Sequence, residues 1–430
     1  MANTYLTRSL ASTNTSWTFS AWVKRSGITA TNYLISWGNS GTDATGIGFA
    51  SSDELFYYSE DGGDNKQRKT SAKYRDTNAF YHIVCKCDAN AITLYVNGEE
   101  PTQSWTVGSS ANPLDTSTMA IGKWVTSAYY HNGSMSHIHF IDGTAYDATA
   151  FGQYDANGVW TIKTTITPSS GWGTNGYWIL KDGNSVTDQS GQGNNWTVGG
   201  GTLTNTEDSP SNVFATFNTL IKNHGATFTN GNLTYQSPAS NPVFGSLSTL
   251  GMSSGKFYAE CKYSAGSNHY LILGIADNNF NPNASTPDDL GKSGTTESIA
   301  YVVNTGAYRV NNSNTSWGSA GGDGDIIQIA VDCDNNKIFF GVNGTWGASS
   351  NPATGSNGID VSSVLTGDTW FFGVSNDTSG TETIAQFNFG NGYFGTTAVS
   401  SAGTNASGIG IFEYDVPTGF TALSTKGLNL

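Results

Sequence analysis

The sequence predicts an all-β protein made of two consecutive antiparallel β-sandwiches, on three observations. Only 12% of the 430 residues are charged, while 53 are glycine, a turn-rich composition that suits strands better than helices. Apolar residues recur with period two along segment after segment. A hairpin-like string occurs twice. At about 100 to 200 residues per domain the length suits two large sandwiches.

The first strand signal is Trp17 to Lys24, where Trp17, Phe19, Ala21 and Val23 share one face, the pattern of a half-buried strand. Residues 80 to 87 continue it, turn at Asp88-Ala89-Asn90, and return through Ala91 to Val96 before Asn97-Gly98, a dipeptide that accepts positive φ and reverses the chain. Residues 147 to 151 have room for one helical turn, and the glycine and asparagine density forbids longer helices. A linker is expected over 206–220, where Pro210 and a small acidic cluster interrupt the strands. Beyond it, Ile327, Ile329, Val331 and Cys333 alternate, the chain turns at Asp334-Asn335-Asn336, and Lys337 to Val342 return to Asn343-Gly344. Residues 87–98 and 333–344 share Cys, Asp, Asn, Ile, Val, Asn and Gly without a gap, an internal echo of one module in the other.

A net charge of −14 with scattered Lys and Arg leaves no basic stripe for a phosphate backbone, so no nucleic-acid binding is expected. Cys85, Cys87, Cys261 and Cys333 are too few and too irregular for a disulfide framework and are expected to be reduced thiols. No segment approaches eighteen consecutive apolar residues, and the first residues lack a signal-peptide pattern, so neither membrane insertion nor signal-directed export is expected.

Trp17 to Arg25, Phe80 to Val84, Leu94 to Gly98 and Ile121-Gly122 together resemble the laminin-G/concanavalin A-like family, a jelly-roll sandwich, over residues 1–205; residue 81 is Tyr where that family commonly has Trp. Residues 139–160, 173–197 and 208–220 resemble a train found in virion proteins of tailed phages, especially marine ones, in which a laminin-G-like domain carries an extension, here 139–205. Residues 221–430 resemble SPRY domains, through Ser254 to Glu260, Leu273 to Ala276, Gly324 to Asp332, Lys337 to Gly344 and Phe387 to Gly390. The fold implied is a pair of jelly-roll sandwiches, laminin-G-like then SPRY-like. The implied role is a bacteriophage virion surface protein, either a tail fibre, tail tip or other appendage binding host-surface glycans or a receptor, or a capsid decoration protein or head fibre of mainly structural role. Implied partners are other virion proteins and copies of itself, with a trimer expected from the class. Synthesis in the host cytoplasm and release by lysis follow from the same resemblance.

Concanavalin-like folds also include glycoside hydrolases, which need two carboxyl groups flanking the scissile bond. The nine glutamates are dispersed and no Glu-x-Asp-x-x-Glu or Glu-x-Asp-x-Glu string occurs, so catalysis, including polysaccharide depolymerisation, is not expected. Sugar recognition needs aromatic faces with amide or carboxylate partners. Trp124, Tyr129, Tyr130, His131 and Asn132 form one such set, and Tyr308, Asn311, Asn312 and Trp317 another. His137 and His139 have the spacing of two metal-binding imidazoles, with His131 or Asp142 as conceivable third ligands. No cofactor is required, and the laminin-G resemblance implies a structural calcium at a loop rim, with no ligands assigned.

Overall fold

The computed structural model describes residues 3–430 except 115–116, 182, 184, 222–224, 239–242, 266–269, 282–288, 293–296 and 377–381. The chain divides into two compact units, Met1–Asn205 with Ser209–Ser211, and Thr206–Asp208 with Asn212–Leu430. Among the described residues, helix is confined to single 3-10 turns, the first at Ala148–Ala150 capped by Asp147.

In the first unit an eight-stranded sheet runs in the order Thr197–Gly200, Tyr5–Ser9, Thr118–Ile121, Asn32–Ser40, Asp43–Phe49, Glu54–Asp61, Asp64–Lys73, Gln103–Val107. A five-stranded sheet runs Tyr177–Ile179, Gly133–Asp142, Trp17–Arg25, Phe80–Asp88, Ala91–Val96. Both are antiparallel. The core lies between them: Trp17, Phe19, Ala21 and Val23 from one sheet meet Trp37, Ile47 and Tyr57 from the other. The indole of Trp17 lies edge-on to Trp37 at 5.2 Å and stacks on Phe140 at 5.9 Å, an arrangement that adds to the burial of large apolar surface.

The alternation in Trp17–Arg25 is as read, but the strand is buried on both faces. The cause is the extension. Thr18 pins it, its Oγ1 donating to the Thr144 carbonyl at 3.0 Å and accepting from the Tyr146 amide at 2.8 Å. A second apolar layer of Val84, Ile141, Phe151, Ile166, Trp172 and Trp178 then covers the sheet. Asn175 donates to Asp142 Oδ2 through its backbone and its side chain, both at 3.0 Å, and accepts from the Ala11 amide at 2.7 Å. Asp188 accepts from the Trp178, Ser190 and Asn194 amides and the Ser190 hydroxyl, at 2.8 to 2.9 Å. Those bonds satisfy the polar groups of a long irregular segment, as burial requires.

The second unit pairs a nine-stranded with a six-stranded sheet. The central strands of the first are Thr383–Asn388, Lys256–Ala265, Ile326–Asp332 and Lys337–Val342; those of the second are Trp370–Asn376, Leu271–Asp277 and Ser298–Val302. Ile327, Ile329, Val331 and Phe340 face Leu273, Ile275, Tyr301 and Phe372 across the core. The two hairpins of the internal echo both form. The first closes through two residues, Asp88 opposite Ala91; the second pairs Asp332 with Lys337 and closes through four. The ungapped match therefore holds along the return strand, while the outgoing strand slips by two residues.

The segment expected as a linker belongs in large part to the second unit. Phe214, Ala215 and Phe217 are buried there, with the Ala215 amide donating to Leu423 at 2.9 Å and the Phe217 amide to Asn232 at 3.0 Å. Pro210 and the acidic residues drew attention from the apolar alternation beside them.

Candidate functional site

The outer face of the eight-stranded sheet, opposite the core, carries an aromatic strip. Period-two geometry puts Tyr33 on it from one strand and Phe56, Tyr58 and Glu60 from another. Between them runs Asp43–Phe49, where Gly46 leaves the space that rings need: a Cβ there would lie 2.6 Å from Tyr33 and 2.8 Å from Trp124. The loop 122–132 folds over this gap. It is held by the Gly122 amide on Leu34 (2.8 Å), the His131 amide on Gly122 (2.8 Å) and the Ser36 hydroxyl on Lys123 (2.8 Å).

Trp124 is thereby buried, its ring 4.4 Å from Tyr33 and 5.8 Å from Tyr58. This corrects the expectation of an exposed indole, because the glycine-lined sheet face offered it a seat. Tyr129 is 52% exposed with its ring 6.4 Å from Tyr33, and it ends the strip at the loop. At the other end Tyr58 Oη lies 2.8 Å from Glu60 Oε2 and 2.9 Å from Asn65 Oδ1. Burial raises the Tyr33 phenol above its ordinary value, helped by Tyr58 and Tyr129, and burial with the Glu60 bond pushes Tyr58 up to about 12. Both hydroxyls therefore stay protonated at neutral pH, able to donate and accept. Tyr33, Phe56 and Trp124 are buried and form a rigid aromatic seat; over it Tyr129, Tyr58, Glu60 and Asn65 present an exposed ring, a hydroxyl, a carboxylate and an amide, groups that recognise a polyhydroxylated ring.

The rest of the first predicted set sits beside the strip. Tyr130 packs at 6.1 Å from Tyr5, with the Lys123 ammonium 4.4 Å from the Tyr5 ring and 5.8 Å from that of Tyr130. His131 Nδ1 meets Asn32 Oδ1 at 3.2 Å, and burial, then repulsion by Arg25, lowers its pKa to about 4. The Asn132 carbonyl accepts from the Ser26 and Gly27 amides at 2.8 and 3.3 Å. These residues fasten the loop. Tyr33, Tyr58, Glu60 and Asn65 were missed by sequence reasoning, although the alternation Phe56, Tyr58, Glu60 was the signal that could have found three residues of the strip.

In the second set, Asn311 and Asn312 are the positive-φ turn between Ala307–Val310 and Ser313–Ser316. Tyr308 and Trp317 meet edge to face at 5.9 Å and pack against the core, and the Trp317 indole N–H donates to the Phe340 carbonyl at 3.1 Å. Their rings are half-buried.

A bulge between Ser136 and His139 separates the two strand histidines. His137 has φ of 47° and pairs with Ser136 at 2.8 Å, whereas His139 is enclosed by Phe151, Trp172 and Trp178. His82, also buried, accepts at Nδ1 from the Trp160 indole N–H (3.0 Å) and so carries its proton on Nε2, donating it to Ser20 (2.9 Å). That polarity leaves Ser20 unactivated as a nucleophile. Among the described residues no group of three His, Cys, Asp or Glu side chains is placed to hold a metal. Asp188 is engaged by N–H donors at both carboxylate oxygens, whereas Asp142, at the end of its strand, accepts from Asn175 at Oδ2 alone.

Residues 2–149 match the family model of the concanavalin A-like lectin/glucanases superfamily. The first unit thus carries a concanavalin A-like domain. No curated protein matches the chain in sequence. Among solved structures it is similar to the SPRY domain of human HERC1, with 16% identity, a TM-score of 0.32, and coverage of 40% of this chain and 96% of that one. A human SPRY domain matches with 17% identity and a TM-score of 0.26, covering 36% and 91%. The native heptameric SAP-like pentraxin from Limulus polyphemus matches with 18% identity and a TM-score of 0.28, covering 34% and 72%.

Proposed function

We propose that the protein is a non-enzymatic carbohydrate-binding surface protein of a bacteriophage particle, gripping host-surface glycans as part of a tail fibre, tail tip or comparable appendage. The observation that carries the binding role is the exposed ring of Tyr129 beside Tyr58, Glu60 and Asn65, held on the buried aromatic seat of Tyr33 and Trp124 over a sheet whose opposite face is core. Such a scaffold orders its aromatic side chains before the ligand arrives, which lowers the entropic cost of binding. The virion role is supported by the likeness of 139–220 to phage virion proteins. The dispersed glutamates support a role without catalysis, because glycoside cleavage calls for a second carboxyl group across the bond from the first.

Purified full-length protein is expected to adsorb to permissive host cells and to compete with phage adsorption, with no release of reducing ends from host capsule or lipopolysaccharide. Absence of adsorption across permissive strains would remove the binding role; steady release of reducing ends would replace it with depolymerisation.

A further inference from the structure

On the other sheet of the first unit, the extension that covers it leaves an open cleft of about 540 Å³ between the segments 145–150 and 163–169. That volume lies in the range of small-molecule sites. Its floor is apolar, from Ile141, Ala150 and Ile166. Its walls carry hydroxyl groups, of Thr149, Thr165, Thr167 and Ser169, and one wall is braced: Tyr146 Oη lies 3.1 Å from Ser169 Oγ and 2.9 Å from Ser170 Oγ and accepts from the Ser170 amide at 3.2 Å.

The charges lining this cleft are Lys86, Lys163 and Asp147. Asp147 Oδ1 is engaged in capping the following turn through the Thr149 amide. Lys163 donates one proton to the Thr149 carbonyl at 2.6 Å, which leaves two of its three donors to spare. Lys86 projects from Phe80–Asp88 with Thr18 and Thr93 as its strand neighbours. It is half-buried and makes no ion pair or hydrogen bond among the described residues, whereas Lys256, Lys292 and Lys337 meet Asp332, Asp289 and the Gly355 carbonyl. Lys86 therefore has all three of its N–H donors to offer an incoming anion. In a chain of net charge −14, a cleft whose lining is net positive selects for an anion.

We infer that this cleft is a second saccharide site, separate from the tyrosine strip and specific for an acidic sugar: the carboxylate of a uronic or sialic acid residue meets Lys86 and Lys163, and its ring lies over Ala150 and Ile166 with its hydroxyls toward the threonine and serine walls. The space and the hydroxyl lining favour a carboxylated sugar over a bare inorganic anion.

The test is calorimetric titration of the full chain with oligogalacturonate, oligoguluronate and oligosialate, with neutral galacto-oligosaccharide and inorganic phosphate alongside. At least one acidic oligosaccharide is expected to bind saturably, the neutral one at least about tenfold more weakly, and Lys86→Gln is expected to weaken the acidic ligand about tenfold with no change in melting temperature. Lys163→Gln should act in the same direction, and Tyr129→Ala, on the opposite sheet, should have no effect on this binding. Failure of all three acidic probes, binding indifferent to both lysine substitutions, or phosphate binding as tightly as the sugar would each overturn the assignment. Loss through Tyr129→Ala instead would place the acidic ligand on the strip.

Discussion

Arg25 and Asp53 are both completely buried, joined at 2.9 Å, with Arg75 on the second carboxylate oxygen at 2.9 Å and the Thr29 amide on the first. The guanidinium also lies 4.2 Å over the Phe49 ring. Such a pair contributes little net stability when intact, yet removing one partner strands a charge in a low-dielectric interior. Asp53→Ala is therefore expected to cost about 3–5 kcal/mol by urea denaturation. Removing Asp64 from its exposed pair with Lys66 should cost no more than about 1 kcal/mol. Nothing in the sequence around Asp53 pairs it with a residue 28 positions earlier. Trp124 shows the same limit. Its aromatic character was legible, but whether it faced solvent depended on Gly46, on a strand remote in sequence.

At the level of elements, period-two reading succeeded wherever one face meets the core, as in Trp17–Arg25 and Ile326–Asp332, and both hairpins formed, turning at Ala89-Asn90 and over residues 333–336. It failed to foresee burial of the outer faces, because a strand pattern records alternation and not the arrival of a covering segment. Thr18 and Ser20 read as solvent-facing polar positions; they are buried, and Thr18 anchors the extension by accepting from and donating to its backbone. The strip makes its own demand on an element. Gly46→Ala drives a methyl group into Tyr33 and Trp124, so it is expected to cost about 1–3 kcal/mol and to weaken saccharide binding. Gly41, around which a Cβ would meet nothing within 4 Å, serves as the control, with Gly41→Ala within about 0.5 kcal/mol of the parent. Thermal melts and a saccharide titration of both variants check this.

For the molecule as a whole, two sandwiches with separate cores were legible from composition, periodicity and the repeated hairpin. The boundary between them was less so, since the residues after Pro210 pack into the second unit. The units should also answer pH in opposite senses. In the first, burial lowers His82 from 6.5 to about 3, lowers His131 to about 4 and pulls His139 down as well. Above pH 6.5 these rings are neutral in the folded and unfolded chain alike, and their full contribution is present. As pH falls from 6.5 toward 3 the unfolded chain takes up protons that the folded one refuses, a loss of up to about 5 kcal/mol for His82 alone. In the second unit Glu260 is raised to about 7 by burial, against three donors, the Glu413 and Tyr414 amides and the Tyr258 hydroxyl. Its contribution is full below about 4.5 and is lost as pH rises through 7. Scanning calorimetry at pH 7 and 5 should show the first unit's transition moving down on acidification while the second's holds or rises, and Glu260→Gln should flatten the second response.

The binding role belongs to the tyrosine strip and, within it, to the exposed ring of Tyr129. Its most direct test is a titration of the full chain with the neutral host-surface oligosaccharide that binds best on a glycan array, repeated with Tyr129→Ala and Tyr308→Ala. The expected result is a dissociation constant weakened about tenfold by Tyr129→Ala and unchanged by Tyr308→Ala. Binding that survives loss of Tyr129, or that depends on Tyr308 instead, would contradict it.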